Sequence, residues 1–88
     1  MSINHDMILD RQFIETVKSK IAKEFNVNSI ELVGSYRRNE ATEHSDVDFL
    51  ILDDSRPKGM QFIRMICRLE EELGKEVGLV TVAGLSET

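Results

Sequence analysis

The chain has 88 residues and a formal net charge of −5, from 11 Lys plus Arg against 16 Asp plus Glu. That length predicts a single domain over residues 1–88 and excludes a two-domain enzyme, while the negative charge repels the phosphate field of duplex nucleic acid and excludes a general nucleic-acid coat. Apolar residues make up 41% of the chain, enough for one core, but a domain this short buries a modest share of its surface, so a protein partner or a homo-oligomer is expected to support it. The lone Cys67 cannot close an internal disulfide, and neither a leader pattern nor a long apolar run is read; the expectation is a cytoplasmic protein without membrane association.

In residues 10–25 the apolar side chains Phe13, Ile14, Val17, Ile21 and Phe25 recur at spacings of three and four, which predicts an amphipathic helix. Ile30, Leu32 and Val33 form a short β-prone run that stops at Gly34. The polar stretch 37–45 predicts a helical turn or loop. Val47, Phe49, Leu50, Ile51 and Leu52 are apolar at both alternating positions, the pattern of a central strand covered on both sides. A second helix is predicted over 57–73, with Phe62, Ile63, Ile66, Leu69 and Leu73 on its stripe, Pro57 at its start and Gly74 just past its end. Residues 77–82 read as a last strand. The order is α-β-(turn)-β-α-β, a small mixed α+β fold.

Asp46 and Asp48 stand at i and i+2 at the head of the core strand, so the period of two aims both carboxylates at one face. Two carboxylates in one place repel, and a divalent cation between them removes the conflict; Mg²⁺ suits oxygen ligands and takes one or two carboxylates together with substrate phosphates. A D-x-D pair by itself is an ordinary solvated strand end, because Asp favours turns. Gly34-Ser35, at the end of the first strand, is by itself an ordinary turn, although such a corner can aim backbone N–H groups and a hydroxyl at a phosphate. Joined as G-S, ten residues, then D-x-D, the two describe a phosphate cradle and a metal pair on neighbouring elements.

This pattern, running from Glu31-Leu32-Val33-Gly34-Ser35 through Ser45-Asp46-Val47-Asp48-Phe49, resembles the minimal nucleotidyltransferases of the DNA polymerase β-like superfamily, especially the antitoxins paired with HEPN-type ribonuclease toxins. The resemblance implies that Gly34 and Ser35 bind the nucleotide triphosphate and that Asp46 and Asp48 hold Mg²⁺ and serve catalysis. It implies ATP as donor and a hydroxyl of a HEPN-type toxin as acceptor of AMP, with pyrophosphate released. Arg38 matches an arginine common in the loop of such proteins, where it would screen phosphate charge; the residues alone equally allow a solvated cation near Glu40 and Glu43. Tyr36 either stacks on a nucleobase or packs, and the sequence leaves both open.

The sequence departs from the family at Val77-Gly78-Leu79-Val80, where relatives carry a third carboxylate in place of Gly78. Its absence impairs a two-metal mechanism, and Glu76, displaced along the strand, is a poor substitute. This supports an alternative in which the chain keeps the fold and neutralises a toxin by binding it; a third reading is a regulatory nucleotide-binding module without a toxin. Asn39 stands where glycine is common, and Asn tolerates the left-handed conformation such a site needs. The chain also reaches Thr88 before the terminal helix that relatives generally carry. No His/Cys spacing makes His5 or His44 a metal ligand, Cys67 is expected to be a small buried hydrophobe, and Glu70-Glu71-Glu72 a solvated helix face.

If the phosphate corner that ends the first strand and the metal pair that begins the second serve one site, those strands run antiparallel side by side. A helical crossover then makes the second and third parallel. The expected architecture is a mixed three-stranded sheet with flanking helices, and it brings Gly78 close to Asp46 and Asp48.

Overall fold

Helix α1, Arg11–Glu24, buries Ile14, Val17, Ile21 and Ala22, the three- and four-residue spacing that puts side chains on one face. The computed structural model describes residues 8–52 and 57–82. Phe13, expected on the buried stripe, is instead 43% exposed, because it sits one residue, about 100°, round the helix from Ile14. The helix closes on Phe25, whose N–H donates to the Ile21 carbonyl at 3.1 Å, and Asn26 turns the chain with φ 59°.

Strand β1, Ile30–Val33, leads directly into a single helical turn, α2, Gly34–Arg37. The 37–45 stretch, expected as a helical turn or loop, is a loop after Arg37, and the helical turn comes before it because Gly34 adopts φ 76° and lets the backbone bend straight out of the strand. Strand β2, Val47–Ile51, follows an irregular loop, and helix α3, Met60–Leu73, leads into β3, Val77–Thr81. Pro57 precedes α3 by three residues, and the turn before the helix is made by Gly59 at φ 59°. The C-terminal signal holds as read: Gly74 is left-handed and its N–H donates to the Glu70 carbonyl. Residues 83–88, and with them the expectation about a terminal helix, lie outside the described residues.

The sheet order is β1-β2-β3, with β1 antiparallel and β3 parallel to β2, as expected. Along β2 Val47, Phe49 and Ile51 are buried while Asp48 and Leu50 are only half-buried. Among the described residues, coverage on both sides, expected from the apolar run, is thus not found. Val47, Phe49, Ile51 and Leu32 share a core with Ile14, Val17 and Ile21 of α1 and Met65, Leu69 and Leu73 of α3. The opposite row, Val33, Asp48, Leu50, Gly78 and Val80, faces outward, and Val80 is 42% exposed.

On α3 the buried positions are Met65, Leu69 and Leu73, so the stripe is turned relative to the expected one, and Ile63 is 54% exposed. Cys67 is exposed as well, contrary to its reading as a core residue, because it falls two residues after Met65 on the far side of the helix. The Glu70-Glu71-Glu72 run is not simply solvated. Glu70 accepts from the Val77 N–H at the entry to β3 at 3.2 Å, and Glu72 pairs with Lys20 of α1 at 3.2 Å. Arg68 joins Glu24 of α1 to Glu71 and Glu72 of its own helix. The Lys20–Glu72 and Arg68–Glu24 pairs join the two helices.

Candidate active site

Asp48 lies between two glycines. In the sheet it pairs with Val33 of β1 on one side and with Gly78 of β3 on the other, and Gly34 follows Val33 at the corner. A Cβ on Gly34 would lie 2.6 Å from Asp48 Oδ2, and a Cβ on Gly78 would lie 2.5 Å from Asp48 Oδ1. One carboxylate oxygen therefore occupies the space over each glycine. The Gly-Ser corner and the head of β2, twelve residues apart in sequence, meet at this side chain.

Asp46 is exposed, immediately before β2 and two residues from Asp48. Partial burial pushes the Asp48 carboxyl above its ordinary range, the charge of Asp46 pushes it further the same way, and Arg38 opposes both. The two acids thus feel each other as expected. Arg38 is paired on the surface, its Nε donating to Glu40 Oε1 at 2.9 Å, and its charge reaches Asp48.

Ser35 is in the first turn of α2, where helix N–H groups have no acceptor within the helix. The turn is fastened from below by Arg38 N–H to Gly34 O at 3.1 Å and Glu40 N–H to Ser35 O at 2.9 Å. Tyr36 packs: it is 4% exposed, and its hydroxyl accepts from the Leu9 N–H at 3.2 Å. Asn39 takes φ 59°, the left-handed conformation for which Asn replaces glycine.

Lys75 carries no signal in the sequence, yet it is 5% exposed and donates from Nζ to the Glu43 carbonyl at 2.7 Å. No group of three or more His, Cys, Asp or Glu capable of holding a metal occurs among the described residues. His44 is on the surface beside Glu43, and Glu76 is exposed. The donor set at the head of β2 is therefore two carboxylates. Hard oxygen donors that repel one another fit a divalent cation of the Mg²⁺ type, which takes its remaining ligands from phosphate and water.

A family model described as nucleotidyltransferase domain matches residues 11–87. The chain belongs to this family, as a minimal nucleotidyltransferase, a class of transferase that works with a divalent metal ion. Among curated proteins it is 34% identical over 73 residues to a Methanocaldococcus jannaschii protein named "Putative protein adenylyltransferase MJ1379", covering 81% of this chain and 73% of that one. It is 40% identical over 68 residues to the protein adenylyltransferase MntA of Thermococcus cleftensis, with 77% and 69% covered. A second M. jannaschii protein, "Putative protein adenylyltransferase MJ0128", is 44% identical over 62 residues, with 69% and 63% covered. Among the described residues no helix is long and apolar enough to cross a membrane.

Proposed function

We propose that the chain is a protein adenylyltransferase that uses Mg²⁺ to move AMP from ATP to a hydroxyl of a HEPN-type toxin, and so acts as its antitoxin. The observation that carries this reading is Asp48 seated between Gly34 and Gly78 with the charge of Asp46 bearing on it. The names of the relatives support the adenylyl group as the one transferred.

In this reading Asp46 and Asp48 hold the cation, Gly34 and Ser35 bind the β- and γ-phosphates, and Arg38 screens the triphosphate. The bound cation would neutralise phosphate charge as the acceptor approaches. The α2 corner supplies fixed N–H donors, so the triphosphate is oriented without reorganisation of the protein. The acceptor oxygen bonds to the α-phosphorus, the bond to the bridging oxygen breaks, and pyrophosphate leaves. With glycine at position 78, β3 presents no carboxylate beside this centre, and the proton of the acceptor hydroxyl passes to water. Slow turnover is the consequence.

The test is incubation of the chain with Mg²⁺, ATP labelled on the α-phosphate and a HEPN-type toxin encoded beside it. Label is expected on the toxin with wild type and not with Asp46→Asn. A toxin neutralised without acquiring label would overturn the enzymatic reading.

A further inference from the structure

We propose that Lys75 is a positioning residue for this site: its buried ammonium holds the carbonyl of Glu43 and thereby fixes the loop that carries Asp46. The inference rests on the proposed role of Asp46 and Asp48. Lysine is rarely buried, because its charge loses hydration, and it stays buried when its donors find acceptors. Lys75, at 5% exposure, reaches across 32 positions of sequence to the Glu43 carbonyl at 2.7 Å.

The neighbouring residue adds a second grip, since the Val47 N–H donates to the Glu76 carbonyl at 2.9 Å. Asp46 is bracketed between these anchors, three residues after one and one residue before the other. The loop also closes on itself, with Thr42 N–H to Ser45 Oγ at 2.8 Å and Ser45 N–H to Thr42 O at 3.1 Å. Those bonds shape the turn but do not tie it to the sheet. Lys75 does, by joining the turn to the segment that enters β3. Asp46 is exposed and outside the β2 ladder, so the place of its carboxylate relative to Asp48 depends on this tether.

The experiment compares wild type, Lys75→Met and Lys75→Arg in the full chain. Amide hydrogen exchange is followed at Thr42 and Ser45, with Phe49 and Leu69 as internal references, and affinity for Mn²⁺·ATP is measured alongside. In K75M, exchange at Thr42 and Ser45 is expected to quicken about tenfold or more while Phe49 and Leu69 stay protected, as for loss of a hydrogen bond to a charged donor. Mn²⁺·ATP affinity is expected to fall several-fold, with part of both effects recovered in K75R. Unchanged loop exchange, or a loosened loop with unchanged affinity, would overturn the proposal. If wild type binds no Mn²⁺·ATP, the functional reading fails, and the exchange data still report separately on the tether. Should K75M not fold, a through-hydrogen-bond coupling between Lys75 Nζ and the Glu43 carbonyl carbon in wild type decides, its absence counting against the tether.

Discussion

Gly78 faces Asp48 across the parallel β2–β3 ladder, and the Asp48 carboxylate fills the space a side chain at position 78 would take. The obstruction is the far end of a flexible side chain, 2.5 Å from the would-be Cβ, so Gly78→Asp can be accommodated if Asp48 rotates away. The third acid adds repulsion in the metal-free protein and a ligand in the loaded one. Gly78→Asp is therefore expected to lower the melting temperature in EDTA, to raise it relative to wild type with Mn²⁺ added, and to speed adenylyl transfer. Calorimetry with and without the metal checks this; equal behaviour of both proteins would show that position 78 does not face a cation.

Gly34 differs from Gly78 because its backbone is left-handed as well as crowded. Gly34→Ala meets Asp48 Oδ2 at 2.6 Å and Asp48 Cβ at 3.3 Å, and alanine at positive φ adds about 1–2 kcal/mol of strain. A loss of about 2 kcal/mol in urea unfolding is expected, together with loss of nucleotide binding, since the corner must shift. Full stability in G34A would show that the left-handed turn is not required.

The pH dependence of the metal-free protein follows from Asp48. Its folded-state pKa is raised above the unfolded value, by burial first and by Asp46 next. The folded protein thus binds the proton more tightly than the unfolded chain, and this contribution to stability is lost as pH rises from the ordinary Asp range through the folded pKa. Asp48→Asn is expected to raise the melting temperature at pH 7 in EDTA, with the advantage shrinking as pH falls through the raised folded pKa and gone below about pH 4, where the unfolded aspartate is itself protonated. Arg38→Ala is expected to move the Asp48 carboxyl titration further up, as read by carbon NMR. A D48N advantage that is independent of pH would contradict the assignment.

Tyr36→Phe separates packing from base stacking. The hydroxyl accepts from the Leu9 N–H within a buried environment, so its loss is expected to reduce stability by about 0.5–1.5 kcal/mol. ATP affinity should remain at the wild-type level. Weakened nucleotide binding in Y36F would mean that this residue takes part in recognition.

Much of the fold was legible because short-range signals agreed with one another. The spacing of Ile14, Val17 and Ile21 and the left-handed Gly74 both mark helix positions that the structure retains. The antiparallel-then-parallel sheet followed from demanding that Gly34 and Asp48 meet, and they do. What escaped was set by tertiary packing. Leu50 and Val80 are apolar yet lie on the side of the sheet away from α1 and α3, because those helices pack onto the other. Cys67 and Ile63 are apolar residues on a helix whose buried row is defined by Met65 and Leu69. Lys75 is a charged residue held inside by a carbonyl 32 positions away, a pairing no local pattern encodes.

The central claim is that Asp46 and Asp48 share one cation with a triphosphate lying on the Gly34-Ser35 corner. Addition of substoichiometric Mn²⁺·ATP to ¹⁵N-labelled protein tests it most directly, because the paramagnetic ion broadens the amides nearest to it. Selective broadening of Gly34, Ser35, Asp46, Asp48 and Gly78, abolished in Asp48→Asn, is the expected result. Broadening centred elsewhere, or unaltered in that variant, would contradict the claim.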